Sequence, residues 1–273
     1  MHVSPLPPDD VSCTLSASVD GAPVAELRLH VLGPSLLLAR LRVETGTDSQ
    51  AVARAFARTV TERWGRGGVE VLVEEKPSAA AWLEALEWTG WAVVRRKAFV
   101  ARGLEDELPA APTELRFTSL AEAGEPEFIA RLTMASEGDA FQEDGPDPQR
   151  EWQELVQYAG DRFAPADWFL VDDDHGAVGI LLPQAYDDSE GSIFYLGVVP
   201  SRRRQGLGRA LHAAGLHELA RRGLTRYVGS TDLRNTAMRL VFERNGCPVE
   251  MRQLFLQYEA SSTRPTPKQD RHS

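Results

Sequence analysis

Four arginines and two glycines fall within one short stretch, Arg202-Arg203-Arg204-Gln205-Gly206-Leu207-Gly208-Arg209. The residues that follow, Leu207, Ala210, Leu211, Ala214 and Leu219, recur near a helical period. The arginines therefore crowd a helix N-terminus, where the dipole is already positive and cations are disfavoured. An anion seated there relieves the repulsion, and Gly206 and Gly208 let it reach free backbone N–H groups. The chemistry this pattern suits is the holding of a phosphate-bearing ligand. No Gly-Lys-Ser/Thr follows, as a P-loop requires, and the dinucleotide fingerprint G-x-G-x-x-G is missing. Upstream, Ile193, Phe194, Tyr195, Leu196, Val198 and Val199 read as a strand that Pro200 stops.

The stretch Arg203-Arg204-Gln205-Gly206-Leu207-Gly208 resembles the R/Q-x-x-G-x-G/A motif of the GNAT superfamily of acyl-CoA-dependent N-acyltransferases. The preceding Leu196-x-Val198-x-Pro200 is similar to that family's fourth strand. The resemblance implies that the loop Arg203 to Arg209 binds the CoA pyrophosphate and that the strand splays to receive the pantetheine arm, with Leu196 and Val198 beside it. It implies acetyl-CoA, or another acyl-CoA, as co-substrate, with no metal, and a direct transfer to a primary amine of a small molecule or peptide.

Such a transfer needs a held cofactor, a deprotonated amine, a stabilised oxyanion and a protonated leaving thiolate. By resemblance, the Val198 N–H meets the thioester carbonyl. Asn235 matches the asparagine that contacts the cofactor arm, and it is equally a good helix N-cap. The tyrosine that many members carry seven residues later is Phe242 here, which has no proton to give. Ser230 stands where some members carry a glutamate base, so it and Glu190 are the candidate catalytic residues. Asp187 and Asp188 precede the same strand as Glu190. Glu137, Asp139, Glu143, Asp144, Asp147 and Glu151 cluster in a substrate-side region and suit a cationic amine, or are simply acidic surface. Tyr186 and Tyr195 line a pocket or pack in a core. Cys247 reads as core, and His175, His212 and His217 receive no role.

The elements that must position these residues form two rounds of one order. Strands are expected over Cys13–Val19, Pro23–Leu32 and Leu36–Val43, with a turn at Asp20-Gly21. A helix follows over Asp48–Trp64, then strand Val69–Glu74, helix Ser78–Thr89 and strand Trp91–Ala101. The start, Met1 to Asp10, reads as loose. In the second round, strand Leu115–Leu120 leads into helices Glu125–Ser136 and Pro148–Tyr158. Strands Asp167–Asp172, Ala177–Pro183 and Ile193–Val199 come next. The Leu207 helix, strand Arg226–Ser230, helix Thr236–Arg244 and strand Val249–Tyr258 close the round.

One constant spacing pairs Gly90 with Gly246, Gly67 with Gly223, Glu87 with Glu243, Arg96 with Arg252 and Phe99 with Phe255. This is an internal repeat. At that spacing Arg204 falls on Asp48, and Gly206-Leu207-Gly208 falls on Gln50-Ala51-Val52. The expected architecture is thus α/β (α+β): two tandem GNAT-like domains, each a mixed, mostly antiparallel sheet flanked by helices. The expected limits are a degenerate copy without the cofactor loop at 1–104, an acidic, proline-containing linker at 105–113, an acyl-CoA-binding domain at 114–260 and a disordered tail at 261–273.

The whole composition fits this reading. The chain has 273 residues, 42% hydrophobic and 26% charged, as in soluble globular proteins. A net charge of −10 argues against a general nucleic-acid or membrane-surface binder, so no nucleic-acid or membrane partner is expected. Two cysteines make no disulfide framework or metal site. The expected setting is cytoplasmic, and the resemblance allows a homodimer. Because Phe242 and Ser230 replace the usual proton handlers, two other functions fit the same residues. One is a non-catalytic acyl-CoA-binding or scaffolding protein, and the other a tandem-domain synthase that acylates a precursor of a thiol cofactor. Replacing Gly208 with valine is expected to abolish acyl-CoA binding in a calorimetric titration, and unchanged affinity would remove this loop from the site.

Overall fold

The computed structural model describes residues 2–5, 12–32, 35–138 and 147–259. The first round contains β1 (His2–Pro5), β2 (Ser12–Val19), β3 (Ala22–Leu32), β4 (Ser35–Val43), α1 (Ser49–Trp64), β5 (Glu70–Glu74), α2 (Ala80–Trp88) and β6 (Trp91–Gly103). The second opens with β7 (Arg116–Ser119), α3 (Leu120–Ala123), α4 (Glu125–Ser136), α5 (Pro148–Ala159), β8 (Phe169–Asp173) and β9 (Gly176–Ala185). It closes with β10 (Glu190–Val198), α6 (Leu207–Arg221), β11 (Arg226–Asp232), α7 (Thr236–Arg244) and β12 (Val249–Tyr258). The expected tail, 261–273, lies outside the described residues. No described helix is long and apolar enough to cross a membrane.

Both rounds build the same sheet order. β1 to β4 pair antiparallel in sequence and β5 joins β4 in parallel. Likewise β7 to β10 pair antiparallel and β11 joins β10 in parallel. The mixed, mostly antiparallel α/β architecture is as the sequence predicts. Among the described residues of the first unit, α4 and α5 have no counterpart. Asp20 and Gly21 both take positive φ, +50° and +82°, as a tight hairpin turn between twisted strands requires.

Two local expectations are corrected. The chain start is not loose throughout, since β1 pairs with β2 through Val3↔Ala17 and Ser4↔Ser16. Four residues are too few to show a period, and the order comes from the neighbouring strand. The strand expected to run through Leu120 ends at Ser119. There the Ser119 hydroxyl accepts the Glu122 N–H, the Glu122 carboxylate accepts the Ser119 N–H, and α3 begins.

Contacts gather the chain into two compact units, Met1–Lys97 with Met251–Ser273, and Ala98–Glu250. This differs from the expected limits 1–104 and 114–260, because backbone pairing, not chain order, decides where a closing strand lies. β12 pairs antiparallel with β5 from Gln253↔Glu74 to Leu256↔Val71. Its Leu254 and Leu256 are buried in the first unit's core with Phe56, Trp82, Leu86 and Trp91. In the second unit, Val100 and Leu104 pack with Leu216, Tyr227 and Phe242, and the Leu104 N–H donates to the Thr225 carbonyl. The linker residues 105–113 are tied to that unit too: His217 Nε2 donates to the Pro109 carbonyl at 2.7 Å.

In the second unit the face of β8 and β9 toward α4 and α5 is closed by aromatic rings. Phe163 meets Trp168 edge-on at 4.9 Å between centroids, and Phe128 and Trp152 pack against the same indole. The Trp168 Nε1–H is matched by the Gln184 side-chain oxygen at 3.2 Å, so the apolar layer leaves this donor satisfied. Leu256→Ala is expected to destabilise the protein by about 2–5 kcal/mol, the range for emptying a buried leucine site. Hydrogen-exchange protection should then fall in β5 and α1 before β10 and α6. The reverse order would place β12 with the second unit.

Candidate active site

β10 and β11 pair in parallel at Glu190↔Arg226 and Gly191↔Tyr227, and that register goes no further among the described residues. β10 itself stays paired with β9 as far as Val198↔Gly179. One side of β10 is thus open from Ser192 onward. The Val199 N–H donates to the Val178 carbonyl at 3.0 Å, so Val199 faces β9. Antiparallel alternation then turns the backbone groups of Val198 and Leu196 away from β9, toward the gap. A bulge between Ile193 and Tyr195 adds bend to β10 where the separation begins.

The loop beyond Val198 divides its arginines between two tasks. Arg203 Nε donates to the Val198 carbonyl at 3.0 Å, and its Nη2 donates to the carbonyls of Ala135 and Glu137 at 2.9 and 2.7 Å. This guanidinium is a strut between the end of β10 and the carbonyl-rich end of α4, a favourable place for a cation. Arg202 forms a two-point ion pair with Asp173 on β8, with Nη1 at 3.0 Å from Oδ1. The Arg209 Nε reaches Asn245 Oδ1 at 3.3 Å. Arg204 holds no side-chain hydrogen bond or ion pair among the described residues, nor does Arg244 of α7, and both line the gap. Gln205 turns back, its amide donating to the Ser201 carbonyl at 3.4 Å.

Arg204 and Gly206 both take left-handed φ, +64° and +83°. Such alternation points successive N–H groups into one concavity. α6 starts at Gly206 with no side-chain cap. The Arg209 and Ala210 N–H groups return to the Gly206 carbonyl, leaving those of Leu207 and Gly208 without an intrahelical partner. A cavity of about 620 Å³ lies over this turn, lined by Leu196, Val198, Arg203, Arg204, Gly206 to Arg209 and Asn235, but not by Gln205. A Cβ on Gly208 would meet nothing nearer than Val241 at 3.9 Å. A side chain added there meets no clash at its Cβ, and Gly208 itself lines the cavity.

The remaining expected residues are dispersed. Asn235 caps α7, its side-chain oxygen accepting the Met238 N–H at 3.0 Å, and the residue lines the cavity. Glu190 is ion-paired with Arg226 at 3.3 Å and stands roughly 25 Å along the strand from Val198. Asp187 caps its own turn, taking the N–H groups of Ser189 and Glu190 at 2.7 Å, and Asp188 pairs with Arg162. Ser230 is exposed on β11 and lines no part of the cavity. Asp147 caps α5. Asp139, Glu143 and Asp144 lie outside the described residues.

Phe242 is buried core. Burial pushes the Cys247 thiol up to about 11, which suits a core residue and not a nucleophile. His212, without a role in the sequence, is fully buried and pushed down to about 3 by that burial. The Asn245 amide donates both to its Nδ1 at 3.0 Å and to the Arg209 carbonyl at 3.0 Å. Its Nε2–H is therefore the one that meets the Tyr227 hydroxyl at 3.0 Å. This neutral imidazole helps clamp α6 to the end of α7.

The matching turn of the first unit is closed. There the Asp48 side chain caps α1, accepting the N–H groups of Gln50 and Ala51 at 2.9 and 3.2 Å. A carboxylate sits where the second unit has Arg204 and a helix start without a side-chain cap, so the anion position is filled from within the chain.

A strand that parts from its parallel neighbour over an uncapped, arginine-bordered helix start makes a cavity suited to a phosphate-bearing ligand. The comparisons agree. Residues 127–247 match the model of the Acetyltransferase (GNAT) family. The mycothiol acetyltransferase of Thermomonospora curvata is 30% identical over 207 residues, 75% of this chain and 68% of the relative. Among solved structures, the GCN5-related N-acetyltransferase from Sphaerobacter thermophilus superposes with a TM-score of 0.62 at 21% identity, over 92% of this chain and 81% of that one. A tandem GNAT protein from the clavulanic acid biosynthesis pathway gives 0.51 at 18%, over 93% and 84%. The chain belongs to the GNAT family and is an acyl-CoA-dependent N-acetyltransferase.

The loop's anchor has a pH signature. The Arg202 guanidinium, with the His175 N–H, holds the Asp173 carboxyl down to about 2. A carboxyl depressed in the folded state stabilises fully above its unfolded value, near 4, and loses that contribution as pH falls toward 2. The stability gap between the wild type and Asp173→Asn in urea titrations should be constant at neutral pH and narrow between about pH 4 and pH 2. A gap independent of pH would show that the pair contributes nothing.

Proposed function

We propose that the second unit binds acetyl-CoA in the gap beside β10 and transfers its acetyl group directly to a primary amine of a small molecule. The observation that carries this reading is the parting of β10 from β11 at the start of α6. It leaves the Val198 N–H facing the gap and the Leu207 and Gly208 N–H groups facing the same cavity. Pyrophosphate oxygens suit the Arg204 to Arg209 turn, and the pantetheine amide groups suit the exposed edge of β10 and the Asn235 amide. The thioester carbonyl then lies at Val198, whose N–H stabilises the oxyanion without any side chain. The likeness to a mycothiol acetyltransferase favours a small-molecule acceptor over a peptide.

Glu190 and Ser230 face no part of this cavity, so neither is in position to take the amine's proton directly. The first unit, with its anion position closed by Asp48, serves as scaffold and not as a second cofactor site.

The two tasks of the arginines give the test. Arg204→Ala and Arg244→Ala are expected to weaken acetyl-CoA binding by ~10–100-fold each, the effect of losing a hydrogen bond to a charged group, while thermal stability is kept. Arg203→Ala should instead lower the unfolding temperature, because it frees three carbonyls. Calorimetric titration with acetyl-CoA and CoA, with a melt of each variant, reads both effects. Absence of binding by the wild type would overturn the proposal.

A further inference from the structure

The described residues that line the cavity include five arginines and no acid. Arg202 and Arg203 are tied to Asp173 and to carbonyls, which leaves Arg204, Arg209 and Arg244 as its cations. Arg209 differs from the other two in being held. Its Nε donates to Asn245 Oδ1 at 3.3 Å, and its two Nη nitrogens hold no hydrogen bond among the described residues. A guanidinium gripped by Nε keeps its Nη edge to offer, a two-pronged donor that matches phosphate oxygens.

The grip is set from the buried side. Asn245 is 1% exposed and His212 is fully buried. A guanidinium only donates and a carbonyl only accepts. The Asn245 atom at Arg209 Nε is therefore the amide oxygen, and the one 3.0 Å from the Arg209 carbonyl is the amide nitrogen. That nitrogen also donates to His212 Nδ1 at 3.0 Å, so His212 carries its proton on Nε2, toward the Tyr227 hydroxyl. A proton on Nδ1 would turn the amide round and set its N–H groups against the guanidinium. Burial keeps the ring neutral, with its pKa pushed down to about 3. The Asn245 backbone is pinned as well, its carbonyl accepting from Arg102 Nη1 at 2.6 Å. A side chain fixed at both amide atoms and at its backbone presents its arginine already oriented.

We propose that Asn245 is a positioning residue for cofactor binding: it holds Arg209 by Nε and turns the Nη edge of that guanidinium toward the phosphate oxygens of the acyl-CoA. His212 fixes which way round the Asn245 amide stands. The inference rests on the acyl-CoA reading of the cavity. It gives the buried end of α7 a part in recognising the phosphates, and it makes orientation, not charge alone, the reason Arg209 is effective. A lysine at this position keeps the charge but has no Nε–H to be held and no paired edge to present.

The test compares the full-length wild type with Arg209→Ala, Arg209→Lys, Asn245→Ala and the double variant Arg209→Ala/Asn245→Ala in calorimetric titrations with acetyl-CoA. Arg209→Ala is expected to weaken binding by ~10–100-fold, the effect of losing a hydrogen bond to a charged group. Arg209→Lys should lose nearly as much, and the double variant should bind no more weakly than Arg209→Ala alone. No binding by the wild type overturns the acyl-CoA reading and this inference with it. Binding by the wild type with Arg209→Lys at equal affinity overturns the inference alone, and so does a double variant whose losses add. The Nε–H NMR signal of Arg209 in the free protein, assigned by its absence from the Arg209→Lys spectrum, needs no ligand. It should shift or broaden in Asn245→Ala, and an unmoved signal overturns the grip. Where Asn245→Ala does not fold, Arg209→Lys decides, because Arg209 is exposed and its replacement leaves the core intact.

Discussion

The site depends on one broken ladder. Two parallel strands that start side by side at Glu190 and Arg226 stop bonding within two residues, and the backbone groups that would have joined them face a cavity instead. An unpaired buried backbone group costs about 1–3 kcal/mol, so such a gap persists only where water or a ligand can serve those groups. The separation is held from both flanks. β9 keeps β10 in register to Val198, and Arg203 ties the Val198 carbonyl to the end of α4. The candidate site is therefore made mainly of backbone, and side chains hold it open.

That arrangement explains why three adjacent arginines do not form a single charged patch. Arg202 and Arg203 are spent on Asp173 and on carbonyls, and they fix the turn. Arg204, in a left-handed conformation that a branched residue would resist, is turned out to the cavity. The repeat shows the same logic reversed. In the first unit Asp48 supplies the anion that the helix start favours, and the β4–β5 ladder runs over three pairs, Ser35↔Glu70 to Leu37↔Leu72. Aspartate in place of arginine, with Gln50 and Val52 in place of the two glycines, accompanies a helix start that is capped from within the chain.

The sequence by itself determined the elements and the family. Helices Glu125–Ser136 and Thr236–Arg244 and strand Val249–Tyr258 fall where periodicity places them, because each buries one continuous apolar face. The turn at Arg204 to Arg209 was legible as a candidate anion site for the same local reason: cations and glycines at a helix start have few other uses. The Ser119-x-x-Glu122 capping box went unread, because the strand pattern beside it hid the signal. What only the tertiary structure decided were the non-local choices. Strand pairing put β12 beside β5, a partner far away in the chain, and an internal repeat has no local signal saying which copy a closing strand joins. Folding also chose which arginines are free, and it set Glu190 at the far end of its strand. It brought Tyr195, Ser136 and Glu151 together from a strand and two helices. Hydrogen bonds form between neighbours in space, and a single sequence records neighbours only along the chain.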